Sequence, residues 1–121
     1  MNKLLISLHT NLNETSLFLI NKSFIEDCKN PFYIINTSRG ECLKTSDLVE
    51  GLKSGKILGA CIDVIENESK SFEEINSNSD LQYLKSSKNV IITPHIAGWT
   101  YESKVNLSKV ILEKIKHMFD L

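Results

Sequence analysis

Four side chains that could do chemistry each come shortly after a short apolar run of this sequence: Arg39, Asp63, Glu68 and His95. A guanidinium group can hold a carboxylate through two parallel hydrogen bonds, which an ammonium group cannot copy. An imidazole titrates near neutrality and can give or take a proton. A carboxylate such as Glu68 beside His95 would favour the imidazolium form and fix the ring's orientation. Together these groups suit a substrate that carries a carboxylate and exchanges a proton and a hydride.

The apolar runs that precede these residues are predicted to be β-strands. They are short, nearly continuous and rich in β-branched and aromatic residues, as expected of strands buried on both faces. The predicted strands are Leu4–Leu8, Phe32–Ile35, a strand within Ile57–Ile65, and Asn89–Thr93.

Segments between and after these runs have the apolar spacing of amphipathic helices. The first helical spacing follows Asn21; Thr45 or Ser46 is the predicted cap of the second helix, and Thr100 is that of the last. Gly55 is expected to end the second helix, and a short helix is expected near residues 81–84. The last helix is predicted to carry one stripe, formed by Val105, Ser108, Ile111, Leu112, Ile115 and Phe119.

Apolar strands alternating with amphipathic helices predict a parallel sheet covered on both sides, which is a doubly wound α/β fold or half of one. Ligands of such folds bind beyond the carboxyl ends of the strands. His9 follows the first predicted strand, Arg39 the second, Asp63 the third and His95 the fourth. Since polar loops are common, this placement alone favours an active site at that edge only moderately over chance.

The amino-acid composition argues against several classes of protein. The chain has 121 residues, of which 41% are hydrophobic and 24% charged, with a formal net charge of -1. One ordinary globular domain is expected, without a nucleic-acid or membrane partner. The three cysteines stand singly, which argues against disulfides and a zinc site and favours reduced thiols in a cytoplasmic protein.

Several segments together resemble the D-isomer-specific 2-hydroxyacid dehydrogenases, the family that includes phosphoglycerate and D-lactate dehydrogenases. Each segment is weak alone, but their order and spacing are specific. The similarity runs over nearly the whole chain. The segments are residues 7–9, 35–40, 48–55, 59–64 and 93–98.

The resemblance implies a role for each of the polar residues. Arg39 is expected to bind the substrate's carboxylate and carbonyl, and His95 to be the acid/base that pairs with Glu68. Asp63 is expected to hold the nicotinamide carboxamide of NAD. Three further residues are expected to line the nicotinamide and substrate pocket: Thr37, Ser38 and Gly98.

Three neighbouring residues leave alternatives open. His9 is interpreted either as a cofactor contact or as a structural histidine at a strand end. Glu66 is the alternative to Glu68, and we interpret it as a solvated loop acid. Trp99 is expected either to shape the substrate pocket or to pack at the start of the last helix.

The family's glycine-rich phosphate loop has no counterpart among the five glycines of this sequence. The resemblance therefore implies that residues 1–121 are the C-terminal half of a Rossmann-like NAD-binding domain, with about four strands and flanking helices. The first half of that domain and the N-terminal substrate domain would be missing, which leaves an unpaired edge on the first strand. We expect weak NAD binding and little or no turnover by this chain alone.

The hypothesis from sequence is thus an NAD-dependent oxidoreductase that acts on a small D-2-hydroxy acid or 2-oxo acid, with NAD and NADP not distinguished. A homodimer or a complementing half is the expected partner. The first alternative is a non-catalytic protein-interaction module of the same ancestry. The second is an unrelated receiver-like domain, which would need an acidic cluster where His9 and Thr10 stand.

Overall fold

The computed structural model describes residues 4–68 and 78–120. Within these ranges the chain alternates strands and helices, with one 3-10 helix, Gly40–Cys42, before α2. The strands are β1 Leu4–Leu8, β2 Phe32–Asn36, β3 Ile57–Ile62 and β4 Val90–Ile92. The helices are α1 Lys22–Asp27, α2 Thr45–Lys53, α3 Ser79–Ser86 and α4 Tyr101–Phe119.

The four strands form one parallel sheet in the order β1-β2-β3-β4. This confirms the predicted α/β fold and the four predicted strands. All four carboxyl ends lie at the same edge of the sheet, so the loops that follow β1, β2, β3 and β4 meet there. Of the described strands, β1 lies at one side of the sheet and β4 at the other.

The hydrophobic core lies on one face of the sheet. Burial alternates along β2, where Phe32 and Ile34 are buried and Tyr33 and Ile35 are only half-buried. Helical side chains complete this core, among them Ile25, Leu48, Val49 and Leu84. The opposite face keeps apolar side chains such as Leu5 (57% exposed) and Ile91 (63% exposed) in contact with solvent. The prediction of cover on both sides is therefore wrong for the described residues, because apolar strand faces do not themselves supply the covering helices.

Local hydrogen bonds explain where most helices begin. The side chain of Asn21 accepts from the Phe24 N–H at 3.1 Å, and Thr100 Oγ1 accepts from the Ser103 N–H at 3.1 Å. The predicted Thr100 cap is confirmed, and α1 begins directly after Asn21, as the helical spacing indicates. Gly55, with a φ of +75°, follows α2 in the left-handed conformation that favours glycine.

The start of α2 differs from the prediction. Thr45 is already its first helical residue, and the preceding Lys44 makes no side-chain cap. The N–H of Thr45 instead donates to the carboxylate of Glu66, 21 positions further along the chain. The predicted Thr45 or Ser46 cap is wrong because a distant carboxylate replaces the local hydroxyl.

Helix α4 has 19 residues, and none of them is buried. Its predicted start after Thr100 is confirmed, whereas its apolar stripe packs against no described core. None of the described helices is both long and apolar enough to cross a membrane.

Candidate active site

The loop after β4 is held by a single buried carboxylate. Asp63, which follows β3 directly, accepts from the Ile96 N–H and the Ala97 N–H, both at 2.9 Å. The hydroxyl of Thr93 also donates to this carboxylate. In addition, the Asp63 carbonyl oxygen accepts from the His95 N–H at 2.9 Å. The backbone of His95 is therefore fixed on both sides of the residue.

These contacts also set the charge of Asp63. Burial by itself raises the pKa of this carboxyl, but the hydrogen bonds from Thr93, Ala97 and Ile96 and the nearby His95 outweigh it. The net effect lowers the pKa of Asp63 below its ordinary value of 3.8. The group is a carboxylate at neutral pH, so it is an acceptor only.

His95 and Glu68 form a close pair at the edge of the sheet. His95 Nδ1 lies 2.8 Å from Glu68 Oε2, and Glu68 Oε1 accepts from the Ile65 N–H at 3.0 Å. The side chains are 51% and 35% exposed, respectively. With Nδ1 engaged, Nε2 is the nitrogen left to meet a ligand, which is the arrangement that acid/base catalysis by a histidine needs.

Arg39 is placed by a turn whose centre is Asn36. The Asn36 side chain is fully buried; it donates to the Arg39 carbonyl at 3.0 Å and accepts from the N–H and the hydroxyl of Ser38. The exposed Arg39 donates through Nη1 to the Ser38 carbonyl at 2.7 Å. A guanidinium has five N–H donors in a planar fork, and within residues 4–68 and 78–120 only one hydrogen bond of the Arg39 guanidinium is formed, which leaves donors for a ligand.

The loops after β2 and β3 are in direct backbone contact. A Cβ atom on Gly40 would lie 2.0 Å from the carbonyl oxygen of Ile65, so only glycine fits there. The Asp63 N–H also donates to the Asn36 carbonyl at 2.9 Å. The turn that carries Arg39 and the loop that carries Glu68 are therefore built against each other.

Glu66 is not the solvated loop acid that the sequence suggested. It is half-buried, and its carboxylate accepts from the first N–H of α2. A carboxylate is favoured at this position because the first N–H groups of a helix lack partners and the helix N-terminus carries partial positive charge.

The remaining predicted site residues lie at the same edge without contacting the Glu68–His95 pair in any described hydrogen bond. His9 is exposed, with Nε2 at 2.8 Å from Ser7 Oγ. Thr37 is exposed, and Ser38 is buried in the Asn36 turn. Gly98 is exposed in the loop before α4. Trp99, next to it, is largely exposed, so the alternative that it packs at the start of the last helix is wrong for the described residues.

Sequence reasoning missed the residues that support the site. Asn36, Thr93 and Glu66 hold, respectively, the Arg39 turn, the Asp63 carboxylate and the start of α2. Asn36 offered a signal, since asparagine at a strand end often bonds to its own following backbone. The other two contacts span 30 and 21 positions, and no local pattern predicts them.

The fold and the site together define an α/β protein with a parallel sheet and, at the carboxyl ends of its strands, a histidine–glutamate pair and an exposed arginine. Comparison with known proteins makes this specific. Residues 4–97 match the family model described as "D-isomer specific 2-hydroxyacid dehydrogenase, NAD binding domain". The chain belongs to this family of NAD-dependent oxidoreductases.

One curated relative is the "Aromatic 2-oxoacid reductase" of Clostridium sporogenes. It is 38% identical over 117 residues, which cover 93% of this chain and 35% of that protein. The chain therefore spans about a third of that relative's length.

Two solved structures are also similar. The NAD-complexed D-isomer specific 2-hydroxyacid dehydrogenase of Lactobacillus delbrueckii ssp. bulgaricus has a TM-score of 0.77 and 30% identity; the match covers 96% of this chain and 37% of that one. The D-lactate dehydrogenase of Lactobacillus jensenii, solved with NAD+, has a TM-score of 0.76 and 34% identity, with 90% and 34% covered.

Proposed function

We propose that this chain carries the catalytic residues for the reversible, NAD-dependent reduction of a 2-oxo acid to a D-2-hydroxy acid. The observation that carries the proposal is the contact of 2.8 Å between His95 Nδ1 and Glu68 Oε2 at the carboxyl edge of the sheet. A histidine whose ring is oriented by a carboxylate is the usual arrangement for moving a proton to or from a substrate oxygen.

His95 is the proton donor in the direction of reduction. The protonated ring donates from Nε2 to the carbonyl oxygen, which becomes the hydroxyl oxygen of the product. Glu68 holds Nδ1 through this step, so the ring neither rotates nor presents the wrong nitrogen. In the direction of oxidation, the neutral Nε2 accepts the hydroxyl proton.

Arg39 binds the substrate's carboxylate. Its guanidinium, anchored at one end by the Ser38 carbonyl, can form two parallel hydrogen bonds to a planar carboxylate. This contact would orient the carbonyl group towards His95. The named relatives support a 2-oxo acid substrate, since one is an aromatic 2-oxoacid reductase and another a D-lactate dehydrogenase.

The residues at the strand ends fit the nicotinamide end of NAD. When bound, NAD supplies or accepts the hydride. The buried Asp63 carboxylate accepts three protein hydrogen bonds, and its two oxygens together have about four acceptor sites. One site therefore remains for the carboxamide N–H of the nicotinamide. Four other residues are proposed to line this position: His9, Thr37, Ser38 and Gly98.

Activity is proposed to need more polypeptide than these 121 residues, which carry no glycine-rich phosphate loop. In this proposal, residues 1–121 form the C-terminal part of a NAD-binding domain. A complementing half or a second copy would cover the edge of β1 and helix α4. The exposed apolar side chains of α4 support a partner there. A non-catalytic interaction module is less favoured, because partner binding alone gives no reason for the Glu68–His95 pair.

The first experiment measures 2-oxo acid reduction by the loss of NADH absorbance. It compares this chain alone with the chain joined to the glycine-rich half of a related dehydrogenase. We expect turnover only from the joined protein, with a D-configured product on chiral chromatography. Replacing His95 with Asn should lower kcat by about 10²- to 10⁴-fold, the range typical of acid/base groups, with a smaller change in KM.

His117→Asn is the matched control, because His117 is an exposed histidine of α4 far along the chain from the site. It should leave kcat and KM unchanged. A joined protein that retains full kcat without the His95 imidazole would contradict the proposed function.

A further inference from the structure

We infer that Glu66 is a positioning residue for the Glu68–His95 pair, because it fastens the turn that carries Glu68 to the N-terminus of α2. This inference rests on the proposed function only in taking that pair as the proton-transfer machinery. The carrying contact is the hydrogen bond from the Thr45 N–H to the Glu66 carboxylate.

The anchor at the other end of this contact is rigid. Thr45 is the first residue of α2, whose Leu48 and Val49 are buried in the core. Lys44, the residue before α2, makes no side-chain cap hydrogen bond that could replace Glu66. The contact thus satisfies a helix N–H and ties a loop to a helix that packs on the sheet.

The turn beyond Glu66 has a defined shape. Asn67 has a φ of +59°, a left-handed conformation in which the chain reverses direction. Glu68 therefore folds back, and its Oε1 accepts from the Ile65 N–H at 3.0 Å. A second, longer hydrogen bond of 3.4 Å joins the Asn67 N–H to Glu41. Any shift of Glu66 would be passed through this compact turn to Glu68.

The pair cannot hold this geometry by itself. Its side chains are 35% and 51% exposed, and ion pairs that are open to solvent contribute only about 0.2–1 kcal/mol. A contribution of that size does not by itself order a surface loop. The position of Glu68 therefore depends on the contacts that fix the turn. These are the Gly40–Ile65 backbone contact, the Glu66–Thr45 hydrogen bond and the longer hydrogen bond from Asn67 to Glu41.

The test reads the tautomer of the His95 ring by ¹⁵N NMR on the whole chain, at a pH where the ring is neutral. With Glu68 on Nδ1, the proton should reside on Nδ1. His95→Asn assigns the signal among the three histidines. Glu68→Ala gives the reference for a ring without its carboxylate. A wild-type ring that already matches this reference would overturn the inference.

Two variants remove the hydrogen bond between Thr45 and Glu66, one at the acceptor and one at the donor. Glu66→Ala removes the acceptor. Thr45→Pro removes the donor and keeps the helix, because proline is favoured at the first helical position and Lys44 is already extended (ψ 115°) as a residue before proline must be. Both should lower the Nδ1–H to Nε2–H ratio several-fold, towards the Glu68→Ala value. Glu66→Gln, which keeps an acceptor oxygen, should restore most of the wild-type ratio.

Thermal melts separate positioning from folding. Thr45→Pro should keep the wild-type Tm while the tautomer ratio changes, and Glu50→Ala, an exposed glutamate of α2, should change neither. If Glu66→Ala fails to fold, Thr45→Pro still gives the answer. An unchanged tautomer ratio in Thr45→Pro would overturn the inference and leave the proposed function intact. If the variants change the tautomer ratio as expected but the joined protein does not reduce 2-oxo acids, the proposed function is overturned and the inference about Glu66 stands.

Discussion

At the scale of single residues, hydrogen bonds to Asp63 stabilise an unfavourable backbone conformation at His95. His95 has a φ of +55°, a left-handed conformation that is unfavourable for a residue with a side chain, by roughly 1–2 kcal/mol. Hydrogen bonds to a charged acceptor contribute about 1.5–3 kcal/mol each, and the Asp63 carboxylate accepts three of them from residues 93–97. The hydrogen bonds contribute more free energy than the left-handed conformation costs. The loop therefore keeps this conformation and places the imidazole at the edge of the sheet.

Replacing Asp63 with Asn should therefore destabilise the protein. The amide has one acceptor oxygen, and its NH₂ group would face a backbone N–H that needs an acceptor. We expect the free energy of unfolding to fall by about 1.5–3 kcal/mol at neutral pH, as measured by urea titration. Asp27→Asn, at an exposed position of α1, is the control and should change it by less than about 0.5 kcal/mol. Equal stabilities of the Asp63 variant and the control would contradict the role of Asp63.

The lowered pKa of Asp63 also predicts how the stability of the protein depends on pH. The folded protein lowers the pKa of Asp63 below 3.8, so its contribution is complete above the unfolded pKa of about 3.9. As the pH falls through the lower folded value, the contribution is lost. The stability difference between wild type and Asp63→Asn should thus stay constant from about pH 7 to pH 5 and shrink below that. A difference that grows on acidification would show that the pKa is raised instead.

At the scale of elements, features set by neighbouring residues can be predicted from the sequence, whereas contacts between distant segments cannot. The strands followed from apolar runs, and the starts of α1 and α4 from Asn21 and Thr100, whose partners lie three positions away. The start of α2 was predicted with the wrong cap, because its acceptor, Glu66, comes from the loop after β3. The site residues could be placed at one sheet edge by topology, whereas the contacts that fix their geometry cross between loops.

The contact between the β2 and β3 loops gives a prediction at this scale. Gly40→Ala would place a Cβ atom 2.0 Å from the Ile65 carbonyl oxygen, and a backbone atom cannot move aside as a flexible side chain can. We expect a loss of about 1–3 kcal/mol in the free energy of unfolding, measured by urea titration. Gly98→Ala is the matched control for stability, since a Cβ there would meet nothing within 4 Å. A neutral Gly40→Ala would mean that the two loops separate in solution.

At the scale of the whole molecule, the core is confined to one side. Fully buried side chains such as Phe32 lie between the sheet and α1–α3, whereas α4 and the other sheet face expose apolar side chains. Exposed apolar side chains on both surfaces support the proposal that another polypeptide covers them. The prediction that helices cover both faces of the sheet is wrong for the described residues. Apolar strand residues indicate that a sheet face is to be buried, but they do not identify the segment that buries it.

This division predicts how substitutions should act on the isolated chain. Phe32→Ala empties a site in the core and should lower the free energy of unfolding by about 3–5 kcal/mol. Leu112→Ala, on α4 with 53% exposure, should change it by less than about 0.5 kcal/mol, because alanine keeps the helix and no buried contact is lost. Urea titrations at two protein concentrations measure both effects. If Leu112→Ala destabilised the chain, and more so at the higher concentration, a second copy would cover α4 in solution. If it destabilised the chain equally at both, α4 would pack against its own chain, and the one-sided core described above would be wrong.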